Sequence, residues 1–250
     1  PLARRFARPV HEITEDAVRE NIENRIQSYG MFTPRREIVS DRDFVLFGAS
    51  ELLSSGLRQG LLDCVVLVCE GAGTVLVQNP ALVQGIGGRM SGLVSTSPIP
   101  QLISAIEEQG GVVLDRETAR IDLAAGVQRA CDAGFRQVGV TVADPDVAAE
   151  IRRRFPDSLI FGVHTTGISR GGAERLVQAA DLVTACASRT VREAAGRVAL
   201  LQAGAAIPVF AITPRGKEIV LAKLRESGDP LLVKSEKLPF EGGSTPSPLL

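Results

Sequence analysis

Short β-branched runs alternate along the chain with longer stretches whose apolar residues recur at helical spacing. The runs Phe44–Phe47, Cys64–Cys69, Thr74–Val77, Val112–Leu114, Gln137–Val142, Leu159–Val163, Leu182–Thr184 and Pro208–Ala211 predict strands. Helical spacing predicts helices over Thr14–Tyr29, Ser50–Gln59, Ile99–Gln109, Leu123–Ala133, Val147–Phe155, Ala173–Ala179, Ser188–Ala203 and Pro214–Ser227. Thr14 caps the first of these, acidic residues fill its first turn, and Gly30 stops it. Runs such as Val65-Val66-Leu67-Val68 are apolar at every position, as in strands buried on both faces. The pattern predicts an α/β fold: alternating strands and helices, a mostly parallel sheet covered by helices on both faces, and right-handed crossovers. It assigns residues 1–227 to the α/β domain, with a subdivision near 115–123 left open. It assigns 228–250 to a Pro/Gly/Ser-rich tail, flexible from Glu241 onward unless a partner subunit holds it.

The composition narrows the function classes. The hydrophobic fraction of 44% and charged fraction of 23% are those of a globular core with a polar surface. A net charge of -1, 4% aromatics and no Trp offer neither a basic footprint nor base-stacking platforms, so no nucleic-acid partner is expected. No apolar run approaches the ~20 residues of a membrane span, and Pro1–Phe6 lacks the apolar stretch of a signal peptide. The 4 cysteines form no CxxC pair, which suits a reduced, cytoplasmic protein. Zinc-ligand spacing is absent, and Cys64 and Cys131 read as core residues, so no metal or cofactor is required by the residues. Homo-oligomerisation stays open.

In open α/β sheets ligands bind beyond the carboxyl ends of strands. Four segments and one histidine lie there. Cys69-Glu70-Gly71-Ala72-Gly73 ends a strand on glycines that allow close backbone approach to a ligand; the alternative is a buried Cys before a tight turn. Gln84–Gly92 is neither a Walker loop nor a dinucleotide fingerprint. Its Gly85, Gly87 and Gly88, followed by Arg89 and Ser91, suit a nest of backbone N–H groups for a phosphate, sulfonate or carboxylate; the alternative is a mobile surface loop. Ser97 reads as a helix N-cap followed by Pro98, which binds an anion or simply caps. Cys186 precedes a helix starting at about Ser188 or Thr190, where Thr190 and Glu193 fit a capping box. A helix start beside Arg189 and Arg192 favours thiolate over thiol, which makes Cys186 the leading nucleophile, with a small core residue as the alternative. His164, at the end of Leu159–Val163, is either an acid–base group or a structural hydrogen-bonder.

Cys69-Glu70-Gly71-Ala72-Gly73-Thr74-Val75, Asn79-Pro80, Val83-Gln84-Gly85-Ile86-Gly87-Gly88-Arg89-Met90-Ser91-Gly92-Leu93 and Thr96-Ser97-Pro98-Ile99-Pro100 together resemble the methanogenesis marker protein eight family. Ala185-Cys186-Ala187-Ser188 with Val191-Arg192-Glu193 belongs to the same likeness, which reaches from the start of the chain to about Gly228. The resemblance implies a place in methyl-coenzyme M metabolism without naming a reaction. The Arg- and Ala-rich, Lys-poor composition looks like that of a GC-rich bacterium, where the shared theme is coenzyme M biosynthesis. The expectation is therefore a sulfur-transfer enzyme acting on a small sulfonate such as ethenesulfonate or sulfoacetaldehyde. Its partners are that sulfonate and a sulfur donor, either sulfide or a protein persulfide. Cys186 attacks or carries the persulfide, Cys69 relays it, and His164 or Glu70 handles the proton. Gly85, Gly87, Gly88, Arg89, Ser91 and Ser97, with Ser188 and Arg189, hold the sulfonate. The alternative is a factor that binds coenzyme M, or a protein carrying it, without chemistry.

Overall fold

A computed structural model describes residues 12, 14–89, 93–228 and 230. Within them β1 (Cys64–Cys69), β2 (Gly73–Val77), β3 (Val112–Val113), β4 (Val138–Val142), β5 (Leu159–Gly162), β6 (Leu182–Thr184), β7 (Leu201–Ala203) and β8 (Val209–Ala211) form one sheet of order β3-β2-β1-β4-β5-β6-β8-β7. The helices are α1 (Glu15–Tyr29), α2 (Ala49–Arg58), α3 (Pro80–Gly87), α4 (Pro100–Glu108), α5 (Leu123–Asp132), α6 (Pro145–Arg154), α7 (Arg170–Ala179), α8 (Arg189–Gly196) and α9 (Pro214–Glu226). None of them is long and apolar enough to cross a membrane.

The sheet is mixed, which corrects the expectation of a mostly parallel one. β1, β4, β5 and β6 run parallel at the centre. The flanks are antiparallel: β3–β2–β1 on one side and β6–β8–β7 on the other. Chain length explains this. Only residues 70–72 separate β1 from β2, too few for the crossover that a parallel pair needs, so the chain turns back as a hairpin. Gly73, at φ 70, closes that hairpin where a Cβ would lie 2.1 Å from the carbonyl oxygen of Ala119.

Helices do cover both faces. Alternation along β1 sends Val65, Leu67 and Cys69 into a core with Leu52, Leu53, Leu82, Ile86, Leu102 and Ile219, from α2, α3, α4 and α9. Cys64 and Val66 face the opposite core, with Val127, Ile151, Leu176 and Val191 from α5, α6, α7 and α8. Phe161 fills the first core and Phe210 the second, both fully buried; truncating either to Ala would cost about 3–5 kcal/mol. Asp181, where β6 begins, fixes the far end of the sheet. Its carboxylate accepts from Arg152, the Ile160 amide and Thr213 at 2.6, 2.9 and 2.6 Å.

Three further expectations change. Phe44–Phe47 is a series of bends, because its amides at Phe44 and Val45 are taken by the buried Glu51 carboxylate instead of a strand. The helix predicted over Ser188–Ala203 ends at Gly196, and Leu201–Ala203 becomes the edge strand β7, paired in register with Val209–Ala211. The glycine-rich segment after Asn79 is largely helix α3: Asn79 accepts from the Ala81 amide and Pro80 opens the first turn. Gly85 sits inside that helix, where a Cβ would lie 2.0 Å from the carbonyl oxygen of Ile38.

Candidate active site

The carboxyl ends of β1, β4, β5 and β6 open onto a cavity of about 410 Å³. Leu53, Val65, Leu67, Val83 and Val163 form apolar walls, and Ser50, Thr141, Asp144, His164, Thr184 and Cys186 are among its polar residues. The cavity lies at the strand edge predicted for a ligand.

His164 and Cys186 border the same cavity because of strand register. Gly162 pairs with Val183 across β5 and β6, and each chain runs on two or three residues to its functional side chain. Both residues adopt a left-handed backbone, φ 55 at His164 and φ 48 at Cys186. Non-glycine residues in that region carry strain of about 1–3 kcal/mol and persist only where the surroundings hold them. Here the surroundings are identifiable. The buried Thr165 hydroxyl lies 2.8 and 2.9 Å from the carbonyl oxygens of Thr184 and Ala185. The Ala187 amide donates to Thr166 at 3.3 Å, and the Ala185 amide to Pro208 at 2.9 Å. From below, the buried Arg192 guanidinium donates to the carbonyl oxygens of Cys186 (3.3 Å) and Ala206 (2.7 Å). Burial lowers the Arg192 pKa, and attraction to Cys186 opposes that shift.

Most of the remaining sequence candidates that the structure describes lie away from the cavity. Cys69 is fully buried beneath Glu70, with Sγ 3.8 Å from Oε2. Burial, then the Glu70 charge, pushes its thiol pKa well up, against the pull of Arg36. It does not line the cavity, so a direct relay between Cys69 and Cys186 is not built. Glu70 is ion-paired with Arg36, both side chains fully buried, and Arg36 also donates to the carbonyl of Ile86. The turn after Cys69 is closed over, too: the Gly71 amide donates to Thr96, and its carbonyl accepts from Ile99. These residues staple the hairpin and α3 together.

Among the described residues of the proposed anion cradle, only Gly87 borders the cavity. Gly85 packs on Ile38, and a Cβ at Gly88 would meet the Phe44 ring. Arg89 pairs with Glu37 at 2.8 Å and stacks 4.0 Å from the Tyr29 ring centroid. Ser91 lies outside the described residues. Ser97 is exposed and is not a cap; Ile99 occupies that position before Pro100. Ser188 is buried and caps α8 by accepting from the Val191 amide, so the Thr190–Glu193 capping box does not form. Thr190 instead donates to Ile168, Glu193 pairs with Arg170, and Arg189 is exposed.

Residues 1–225 match the family described as an uncharacterized protein conserved in archaea, DUF2099. The chain belongs to this family. It is also 42% identical over 246 residues to the uncharacterized protein MJ0054 of Methanocaldococcus jannaschii, an alignment spanning 97% of this chain and 86% of that one. The whole cavity, with Cys186 and His164, falls inside the matched span.

Sequence reading missed several residues of this family member's cavity: Ser50, Thr141, Asp144 and Thr184. Thr141 and Thr184 had a signal. Each is a polar residue near the carboxyl end of an otherwise apolar strand, and each faces the α2 side of the sheet. The carboxylates at the rim have local duties. Asp122 caps α5, Asp144 caps α6, and Glu150 pairs with Arg154 at 2.7 Å. Among the described residues no group of three or more His, Cys, Asp or Glu is placed to hold a metal ion.

Proposed function

We propose that the protein is an enzyme in which the Cys186 thiol, with His164 beside it, acts on a small organic anion in the cavity. The observation that carries this is the pair itself: two chemically competent side chains on adjacent strand ends, both in left-handed backbone, bordering one cavity. The likeness to the methanogenesis marker protein eight family, together with a composition like that of a GC-rich bacterium, points the chemistry toward coenzyme M biosynthesis and sulfur transfer to a small sulfonate.

In that reaction the Cys186 thiolate takes the outer sulfur of a protein persulfide and releases the donor as a thiol. The terminal sulfur of the Cys186 persulfide adds to the β-carbon of ethenesulfonate. His164 delivers the proton to the carbon next to the sulfonate. Two external thiols then reduce the resulting disulfide, free the thiol-sulfonate and restore Cys186, leaving as one disulfide. External thiols take the resolving role because Cys69 is walled off from the cavity.

The test combines native alkylation with turnover. Iodoacetamide should modify Cys186 in the folded protein, and ethenesulfonate should protect it. Ethenesulfonate, a persulfide donor and dithiothreitol should yield 2-mercaptoethanesulfonate with wild type and none above background with Cys186→Ser. Equal yields from the two would refute the role of Cys186. Binding of 2-mercaptoethanesulfonate without any turnover would favour the non-catalytic binding factor.

A further inference from the structure

Helix α2 begins at the cavity. Its N-cap, Gly48, has no side chain to offer, and Ala49 and Ser50, the first two helical residues, line the cavity. The opening amides of a helix have no intrahelical acceptor and sit at the positive end of its dipole. In α1, α3, α5 and α6 a side-chain oxygen takes one of these amides. At α2 none does. The carboxylate of that first turn, Glu51, does not line the cavity; it accepts from Phe44, Val45, Ser50 and Gln84.

Thr184 is the second, independent observation. It is 4% exposed, lines the cavity, and shares a face of β6 with Leu182, which packs in the core that includes α2. Its Oγ1 is shielded from solvent and has no hydrogen-bond partner among the described residues. A hydroxyl withdrawn from water and left unpaired costs stability. On a cavity wall, a ligand supplies the missing partner.

The geometry points to a seat for a small aliphatic oxyanion, a carboxylate or sulfonate, between the α2 N-terminus and Thr184. The Ala49 and Ser50 amides and the Thr184 hydroxyl donate to its oxygens. Its carbon chain lies along Leu53, Val65 and Leu67, in the cavity that Cys186 and His164 border. Resting on the small-anion reading of this cavity, the seat moves the anchor from the segment around Arg89 to α2 and β6.

Calorimetric titration of the full chain with ethanesulfonate, propionate and neutral 1-propanol tests it. Wild type should bind at least one anion saturably and not the alcohol. Thr184→Val keeps the side-chain shape and removes the donor. Ala49→Pro removes one amide where proline is favoured, and the extended Gly48 (ψ 166) suits the residue before a proline. Each should weaken anion binding by about tenfold. Thermal melting checks both folds, and Thr184→Val decides alone if Ala49→Pro melts early. Absence of saturable anion binding by wild type overturns the seat. So does wild-type affinity in Thr184→Val, or a loss confined to Arg89→Met. Normal anion binding beside an inert Cys186 would instead defeat the thiol chemistry and leave the seat standing.

Discussion

Glu70→Gln separates a structural carboxylate from a catalytic one. Glu70 and Arg36 pair with both side chains at 0% exposure, and the arginine's other contacts are the neutral carbonyls of Glu37 and Ile86. Glutamine preserves size and one acceptor oxygen but strips the counter-charge from a buried guanidinium. Breaking a buried pair from one side costs about 3–5 kcal/mol. That is a large share of the ~5–15 kcal/mol that holds a domain together, and it lowers the melting temperature on the order of 10 °C at this chain length. Urea denaturation followed by circular dichroism should show the midpoint falling at unchanged slope. Arg36→Met should cost a similar amount. Arg36→Met with Glu70→Leu should cost less than the sum, because no charge is left stranded. A loss under about 1 kcal/mol for Glu70→Gln would refute this account. So would lost turnover at full stability, which would return Glu70 to the proton-handling role expected from the sequence.

Glu226 joins α9 to α2 through Arg58 and Gln59; burial pushes its pKa up, but those hydrogen bonds and the Arg58 charge outweigh it and bring it to about 2. Its folded pKa is thus depressed, so its stabilisation is complete above the ordinary carboxylate pKa of 4.5 and fades as pH falls toward about 2. Glu226→Gln should lose about 0.5–1 kcal/mol at pH 7 for this partly exposed pair, and denaturation curves of the two proteins should converge in acid; a gap that widens in acid would contradict the sign. Gly85→Ala should destabilise by about 3 kcal/mol, since its Cβ meets the Ile38 backbone. Gly171→Ala in α7, where only the Arg175 side chain comes near (3.7 Å), should stabilise by about 0.5–1 kcal/mol. Equal melting shifts of the two variants would disprove the packing argument. Burial pushes the Cys64 thiol up to about 11 and the Cys69 thiol well up, so both should resist iodoacetamide until the chain unfolds, while the exposed Cys131 reacts; peptide mass mapping reads the order.

Much of the fold was legible because periodicity is local. β1 and β6 begin and end where the apolar runs do, and α5, α6 and α9 lie within a residue or two of their periodic stretches. The misses have tertiary causes. Three glycines in four residues hid α3, although Asn79-Pro80 announced its start, because packing of Gly85 on Ile38 outweighs its poor helix propensity. β7 went unseen because a three-residue edge strand has no periodicity of its own and exists through pairing with β8. Within the candidate site, Cys186 and His164 were legible as strand-end residues. Cys69 and Glu70 carried the same signal, yet the turn after them is sealed by Thr96 and Ile99.

The chain's alternation of strand and helix, its buried strands, the Thr14 and Gly30 caps of α1 and its strand-end residues all follow from neighbours a few positions apart, and they were readable from the amino acids. Which strand ends share one edge does not, because residues 164 and 186 are brought together only by the β5–β6 register. The same limit hid the Arg36–Glu70 pair, 34 residues apart, and the unpartnered hydroxyl of Thr184. Long-range pairing is settled by burial of whole faces against one another, a collective free energy that no short window of sequence carries.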